Sequence, residues 1–320
     1  MGLDLLDKKI MYELDLNSRA SATEIAKKIR ASKETTNYRI KKLLKEEYIK
    51  YFQTILDVSK IGYFYYKGFV KLHNTTLSIE KDIINFIKKQ PNCAWLGECE
   101  GKYNLMFLLM LRSPKEYRAF LLKLMEKFGD YILEKEIHTV STAHRLNEKF
   151  LYSEKSETCT FDQGKVKYNK VDQLDIKIIK ILASNARMSL AELGNKLKAD
   201  PKVIKYRIEK MEKLKIIGKY ATAPNFDKLN LLFIQLNFCL KNLSCIPEII
   251  EFFDNTNKCL FAVELIGKYD LTIEIHVKDE KALRKILDVF KEKFINKYNY
   301  YDIFNIYKEH MLNWAPIKNK

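Results

Sequence analysis

The sequence predicts an α+β chain built twice from the same two parts. Each half is a three-helix module with a wing, followed by a β-α-β-β-α-β domain. Three observations carry this. Residues 32–49 and 200–217 each hold a basic helix around Tyr-Arg-Ile, with Tyr38 and Tyr206 set 168 positions apart (206 − 38 = 168). A Ser-x-x-Glu box precedes each helix at one spacing, Ser21 with Glu24 and Ser189 with Glu192. Gly-Lys-Tyr-[Asn/Asp]-Leu recurs at Gly101 and Gly267, 166 apart (267 − 101 = 166), so the copies drift by two residues in between. Several local signals in one register mark a duplicated unit, where a single box would mark nothing.

The elements follow in order. Leu6, Ile10 and Leu14 recur every four positions and predict a helix over 3–16. The box at Ser21 starts a second helix with Ile25, Ala26 and Ile29 inward. Ser32 caps the third, and residues 48–55 alternate as a strand or wing. Residues 63–72 read as a strand, Ser78 caps a helix, and 93–99 and 105–111 are strands about the Gly101 turn. A helix over 114–128 and a strand over 132–140 complete the split βαβ order of a ferredoxin-like domain. The second copy repeats this. Asp200 with Pro201 opens its third helix, whose inward stripe is Ile204, Ile208 and Met211. Strands over 231–240, 260–266, 271–277 and 300–306 and helices from Pro247 and Asp279 follow. The expected domains are therefore 1–56, 57–152, 171–224 and 225–308. A polar linker over 153–170 and an exposed tail over 309–320, anchored at Trp314, complete the chain.

Composition narrows the partner. In 320 residues, 57 Lys+Arg face 41 Asp+Glu, a net +16 with pI near 9.3. The surplus is +4 in residues 1–60 (13 against 9) and +6 in 171–230 (13 against 7). That predicts a polyanionic partner, against the alternative of a chain that is Lys-rich throughout. The six cysteines form no C-x-x-C pair and the start is acidic, which fits a reduced cytoplasmic setting; no apolar run approaches a membrane span. The five histidines are scattered, and no metal-ligand spacing, Walker loop or nucleophile elbow appears, so neither enzyme nor cofactor is expected.

This order resembles the Lrp/AsnC (feast–famine) family of transcriptional regulators, as two family units fused in tandem. The matching residues are Leu174-Asp175, Asn185-Ala186-Arg187, Asp200-Pro201 with Tyr206-Arg207-Ile208, Ile217-Gly218-Lys219-Tyr220, and Gly267-x-x-Asp270. The first half matches more loosely, with Lys50 in place of Gly218 and Asn104 in place of Asp270. The resemblance implies double-stranded DNA as partner, homo-oligomers built through the βαββαβ domains or the two halves paired within one chain in place of the family's ordinary dimer, and an amino-acid-like effector near Gly101, Asn104, Gly267 and Asp270. A plain turn explains those four residues equally well.

A third helix lying in the major groove would offer its first turns to base edges. In the first copy these turns hold Ser32, Lys33, Thr35, Asn37, Tyr38 and Lys41; in the second, Lys202, Lys205 and Tyr206. Asn37 suits adenine and Lys205 guanine, while Lys41, farther along its helix, and Lys42, Lys45, Lys210, Lys213 and Lys215 suit phosphate better. Arg39 and Arg207 either grip phosphate or tie the helix to its own domain. Three functional readings stand side by side. The first is a sequence-specific regulator. The second is a DNA-coating protein of low specificity. The third is a siroheme-decarboxylase-like enzyme on this same architecture, for which His138, His144 and Arg145 cluster in the first half without a matching group in the second.

Overall fold

The computed structural model describes residues 2–149, 151–152, 158–162 and 168–317. The first module holds α1 (Leu5–Leu16), α2 (Ala22–Ile29), α3 (Lys33–Lys45) and the wing β1 (Ile49–Leu56). The first βαββαβ domain holds β2 (Phe64–Leu72), α4 (Leu77–Lys88), β3 (Cys93–Glu100), β4 (Leu105–Leu111), α5 (Pro114–Phe128) and β5 (Ile132–Arg145). A short β6 (Cys159–Asp162) follows. The second module has α6 (Gln173–Ser184), α7 (Leu190–Leu197), α8 (Pro201–Lys213) and the wing β7 (Ile217–Pro224). The second domain has β8 (Leu232–Leu240), α9 (Ile246–Asn255), β9 (Cys259–Ile266), β10 (Leu271–Val277), α10 (Glu280–Phe294) and β11 (Tyr298–Leu312).

The two sheets join edge to edge and close. The strand order is β2-β4-β3-β11-β8-β10-β9-β5, and β5 returns to β2, all antiparallel. The result is an eight-stranded barrel, with β6 added beside β5. The long strands do the joining. β5 pairs with β2 through its first half and with β9 through its second. β11 does the same with β8 and then β3. Of the two pairings left open by the sequence, between chains or between the halves of one chain, the structure makes the second, because each domain leaves the edges that the other copy fills.

Alternation sorts the barrel's two faces. On β8, Ile234, Leu236 and Phe238 point outward into the core under α9 and α10. On β4, Leu105, Phe107 and Leu109 point outward under α4 and α5, against Phe120 and Leu124. Each such side chain contributes about 1.5–3 kcal/mol by leaving water. The other face fills the barrel, with Tyr65, Phe69, Met106 and Met110 from the first copy.

The modules also pair. β1 and β7 form a two-stranded antiparallel sheet, and α6 packs on β1 while α1 packs on β7. Two expectations fail here. The stretch 153–170 is not linker throughout, since 159–162 is a strand whose Phe161 is buried against Gly218. The expected tail is not exposed: β11 runs to Leu312, Ala315 and Ile317 are buried, and Trp314 Nε1 donates to Gln53 Oε1 at 2.6 Å. Residues 153–157, 163–167 and 318–320 of these two segments lie outside the described residues.

Candidate nucleic-acid interface

α3 exists because Ser32 accepts the Thr35 amide at its start and because Ile40 and Leu43 have a core to enter. Thr36 is buried and its hydroxyl donates to the Ser32 carbonyl. The opposite face stays bare: Lys33, Thr35, Asn37, Tyr38 and Lys41 are exposed, and Lys42 half-buried. α8 is built likewise. Asp200 accepts the Lys202 amide at 2.7 Å, Pro201 occupies the first turn, and Ile204, Ile208 and Met211 are buried. Lys202, Lys205, Tyr206 and Lys210 are exposed. Tyr38 and Tyr206 are 66% and 63% exposed, so neither has a packing duty. Lys205 approaches Glu209 at 3.6 Å and Lys42 approaches Glu46 at 3.9 Å, both weak surface pairs that a phosphate can displace.

Arg39 and Arg207 are bound to their own modules. Arg39 pairs with Asp4 and, at 2.9 Å, with Asp7 of α1. Arg207 pairs with Asp172 and, at 3.2 Å, with Asp175 of α6. The hydrogen bonds that the Arg39 guanidinium donates to Asp4 and Asp7 hold its pKa well above the ordinary range. Of the two roles expected for these arginines, the geometry shows the tie to the first helix.

Two residues seen in the sequence only as part of the repeat prove to join the modules. Arg19 donates to the Ala186 carbonyl at 2.6 Å, and Arg187 donates to the Ser18 and Ala20 carbonyls. Their positions differ by 168 (187 − 19), the offset of the modules, so the clamp is reciprocal. Thr54 on β1 adds a bond to the Leu182 carbonyl at 2.7 Å.

The Gly-Lys-Tyr turns lie at the seam between the halves. A Cβ on Gly101 would sit 2.8 Å from the Ile303 carbonyl oxygen, and one on Gly267 would sit 2.5 Å from the His138 ring. Both glycines have positive φ, 138° and 157°. Each turn therefore needs glycine for close approach to the other half. Asp270 accepts the Leu240 amide at 2.7 Å, and Asn104 accepts the Leu72 amide at 2.8 Å. His144 also has a match. His144 meets Glu264 at 3.0 Å, and His310, 166 positions later, meets Glu98 at 2.6 Å. His310 lies on the part of β11 that the sequence reads as tail, which hides this match.

Comparison with known proteins agrees with this geometry. Residues 3–50 match the winged helix-turn-helix DNA-binding family, and residues 171–212 match the AsnC-type helix-turn-helix domain. An HTH-type transcriptional regulator of Pyrococcus furiosus is 30% identical over 125 residues, covering 38% of this chain and 84% of that protein. The regulator LrpB of Bacillus subtilis is 24% identical over 140 residues, covering 44% of this chain and 91% of that protein. The whole chain shares its fold with the crystal structure of the siroheme decarboxylase NirDL, at TM-score 0.65 and 11% identity over 97% of this chain and 93% of that one. No helix among the described residues is long and apolar enough to cross a membrane. With a helix-turn-helix match in each half and relatives the length of one half, the chain belongs to the Lrp/AsnC family of transcriptional regulators, as two family units joined in one polypeptide.

Proposed function

We propose that this chain is a sequence-specific DNA-binding regulator in which one polypeptide supplies both reading helices, and that a small effector adjusts their placement. The observation that carries the reading is the bare, basic face of α3 and of α8, each mounted on a capped helix whose other face is core. The two faces differ. Thr35, Asn37 and Lys41 in α3 correspond to Val203, Lys205 and Glu209 in α8, so the two half-sites differ in sequence. Lys41, Lys45, Lys210 and Lys213 stand exposed farther along these helices, where phosphates would lie. Homo-oligomers of the whole chain would form through surfaces outside the barrel closure, since its eight strands already pair with one another.

The test is selection of bound fragments from a random duplex pool at low and at high salt. A motif with two unlike half-sites that survives higher salt is the expected result. Salt-sensitive binding with no motif would replace this reading with a coating protein. Lys202→Ala with Lys205→Ala should weaken binding about tenfold or more and blur only one half-site. Asn37→Ala should relax base preference at the other, by about 1–3 kcal/mol for a lost bidentate contact. Equal loss on every sequence would make Asn37 a positioning residue. No binding to any duplex would leave the decarboxylase reading, to be examined with an iron-porphyrin absorbance titration.

A further inference from the structure

Several inward-facing barrel residues keep accessible surface although strands surround them. Leu108, Phe233, Phe261, Val263 and Glu274 are all only half-buried. That surface faces a cavity of about 150 Å³ between the barrel and the two wings. A cavity of roughly this size holds one benzene-sized ring. A tetrapyrrole, with four such rings and its side arms, needs several times the space.

The walls are selective. Trp95, Phe233, Phe261 and Trp314 supply aromatic surface. Glu274 supplies a carboxylate: its Oε1 accepts Gln235 Nε2 at 3.0 Å, and its other oxygen has no hydrogen-bond partner among the described residues. Lys67 does not neutralise it directly. Its ammonium donates to Gln235 Oε1 at 2.9 Å and to Thr272 at 3.4 Å. A second carboxylate, Glu309, also lines the cavity and accepts Trp95 Nε1 at 2.9 Å. Arg145 is already occupied by Asp15 and Glu148. Lys50 also lines the cavity and acts on Glu309, whereas Glu274 forms no direct ion pair among the described residues, so the free acid inside the aromatic wall is Glu274. Aromatic faces attract cations, and most strongly where water is excluded.

The duplication shows that this chemistry is local. By the 166-residue offset Glu274 corresponds to Leu108, so one wall carries the acid and its counterpart carries only hydrocarbon. Burial pushes the Glu274 carboxyl up to about 7, and an incoming cation would hold it ionised.

We infer that the barrel cavity is a binding site for a small organic monocation, a primary amine on a compact one-ring apolar body, with Glu274 taking the ammonium. Tyr51 and Gln53 of β1 and Ala223 and Pro224 of β7 also line the cavity, so its occupant touches both wings. Any consequence for DNA rests on the regulator reading above; the binding site itself does not.

The experiment is calorimetric titration of the full chain, without DNA, using benzylamine, benzyl alcohol, benzoate and phenylglycine. These four share the ring and differ in charge. Benzylamine is expected to bind at least tenfold tighter than each of the others. Glu274→Gln keeps the Gln235 bond and should cost benzylamine at least tenfold while leaving benzyl alcohol within about twofold. Val263→Phe, which fills the space, should abolish binding of all four. Tighter binding of benzoate or phenylglycine, unchanged benzylamine affinity in Glu274→Gln, or no binding of benzylamine to the folded chain would each overturn the assignment. Because no DNA is present, a failed DNA selection leaves this result standing, and the reverse.

Discussion

At the scale of single residues, the repeat itself separates charge from geometry. Asp270 and Asn104 hold the same place in the two copies and each accepts one strand amide. The position therefore needs an acceptor, and a charge is optional. Asp270→Asn should leave thermal stability nearly unchanged. Asp270→Ala should cost about 1–3 kcal/mol, because the Leu240 amide is then buried unpaired. Equal losses in a denaturant titration would mean the carboxylate charge matters. His138 gives a pH signature. It is fully buried, its Nε2 accepts the Tyr269 amide at 3.1 Å, and burial pushes its pKa down to about 4, with Lys67 and Lys268 adding repulsion. The unfolded chain takes up this proton near 6.5 and the folded one near 4, so stability falls as pH drops through that window. Glu274, raised to about 7, works in the opposite direction between roughly 4.5 and 7, so the comparison must be between variants. His138→Gln keeps an acceptor for Tyr269. It should lessen the loss of stability between pH 6.5 and 4 by up to about 1.4 kcal/mol per pH unit. An unchanged slope would show that His138 titrates normally in the folded chain.

Elements were legible where their signal is local and illegible where it lies in the other copy. The capping boxes at Ser21 and Ser189 and the stripe of Ile204, Ile208 and Met211 needed no distant partner, and those helices stand where expected. β5 was expected to end at 140 and β11 at 306, yet both continue. Their extra residues pair with β9 and β3 of the opposite half, a contact that no alternation within the strand records. β6 has one large apolar residue in four, too few to show a period. The site was read in the same way. The exposed faces of α3 and α8 came from helical spacing, while the barrel cavity is assembled from strands far apart in the chain. The extension of β5 also places Arg145 in a fully buried cluster with Asp15 of α1 and Glu148, beside the half-buried Lys219 of β7. Removing Arg145 leaves two buried acids with only Lys219, 3.5 Å from Asp15, as counter-charge. Arg145→Met should cost about 3–5 kcal/mol, and adding Asp15→Asn should return part of it. A double variant no more stable than the single one would show that the arginine acts through packing alone.

For the whole molecule, the decisive property is that pairing happens inside one chain. A dimer of separate chains comes apart on dilution, whereas two halves joined covalently keep a fixed effective concentration of each other. Here the join is broad: eight strands close the barrel, β1 pairs with β7, and Arg19 and Arg187 clamp the modules reciprocally. The helices α3 and α8 are thus held in one arrangement whatever the protein concentration. On the regulator reading, one chain should occupy one pair of half-sites. The measured ratio should stay at one chain per pair from micromolar to nanomolar protein, and both half-sites should become protected together in a footprint. Lys202→Ala with Lys205→Ala should then leave protection only over the half-site read by α3, with the stoichiometry unchanged. A ratio of two chains per pair of half-sites, or half-sites that fill independently as protein is added, would show that α3 and α8 of one chain do not read the same duplex together, and that the pairing in the barrel serves the cavity rather than the DNA.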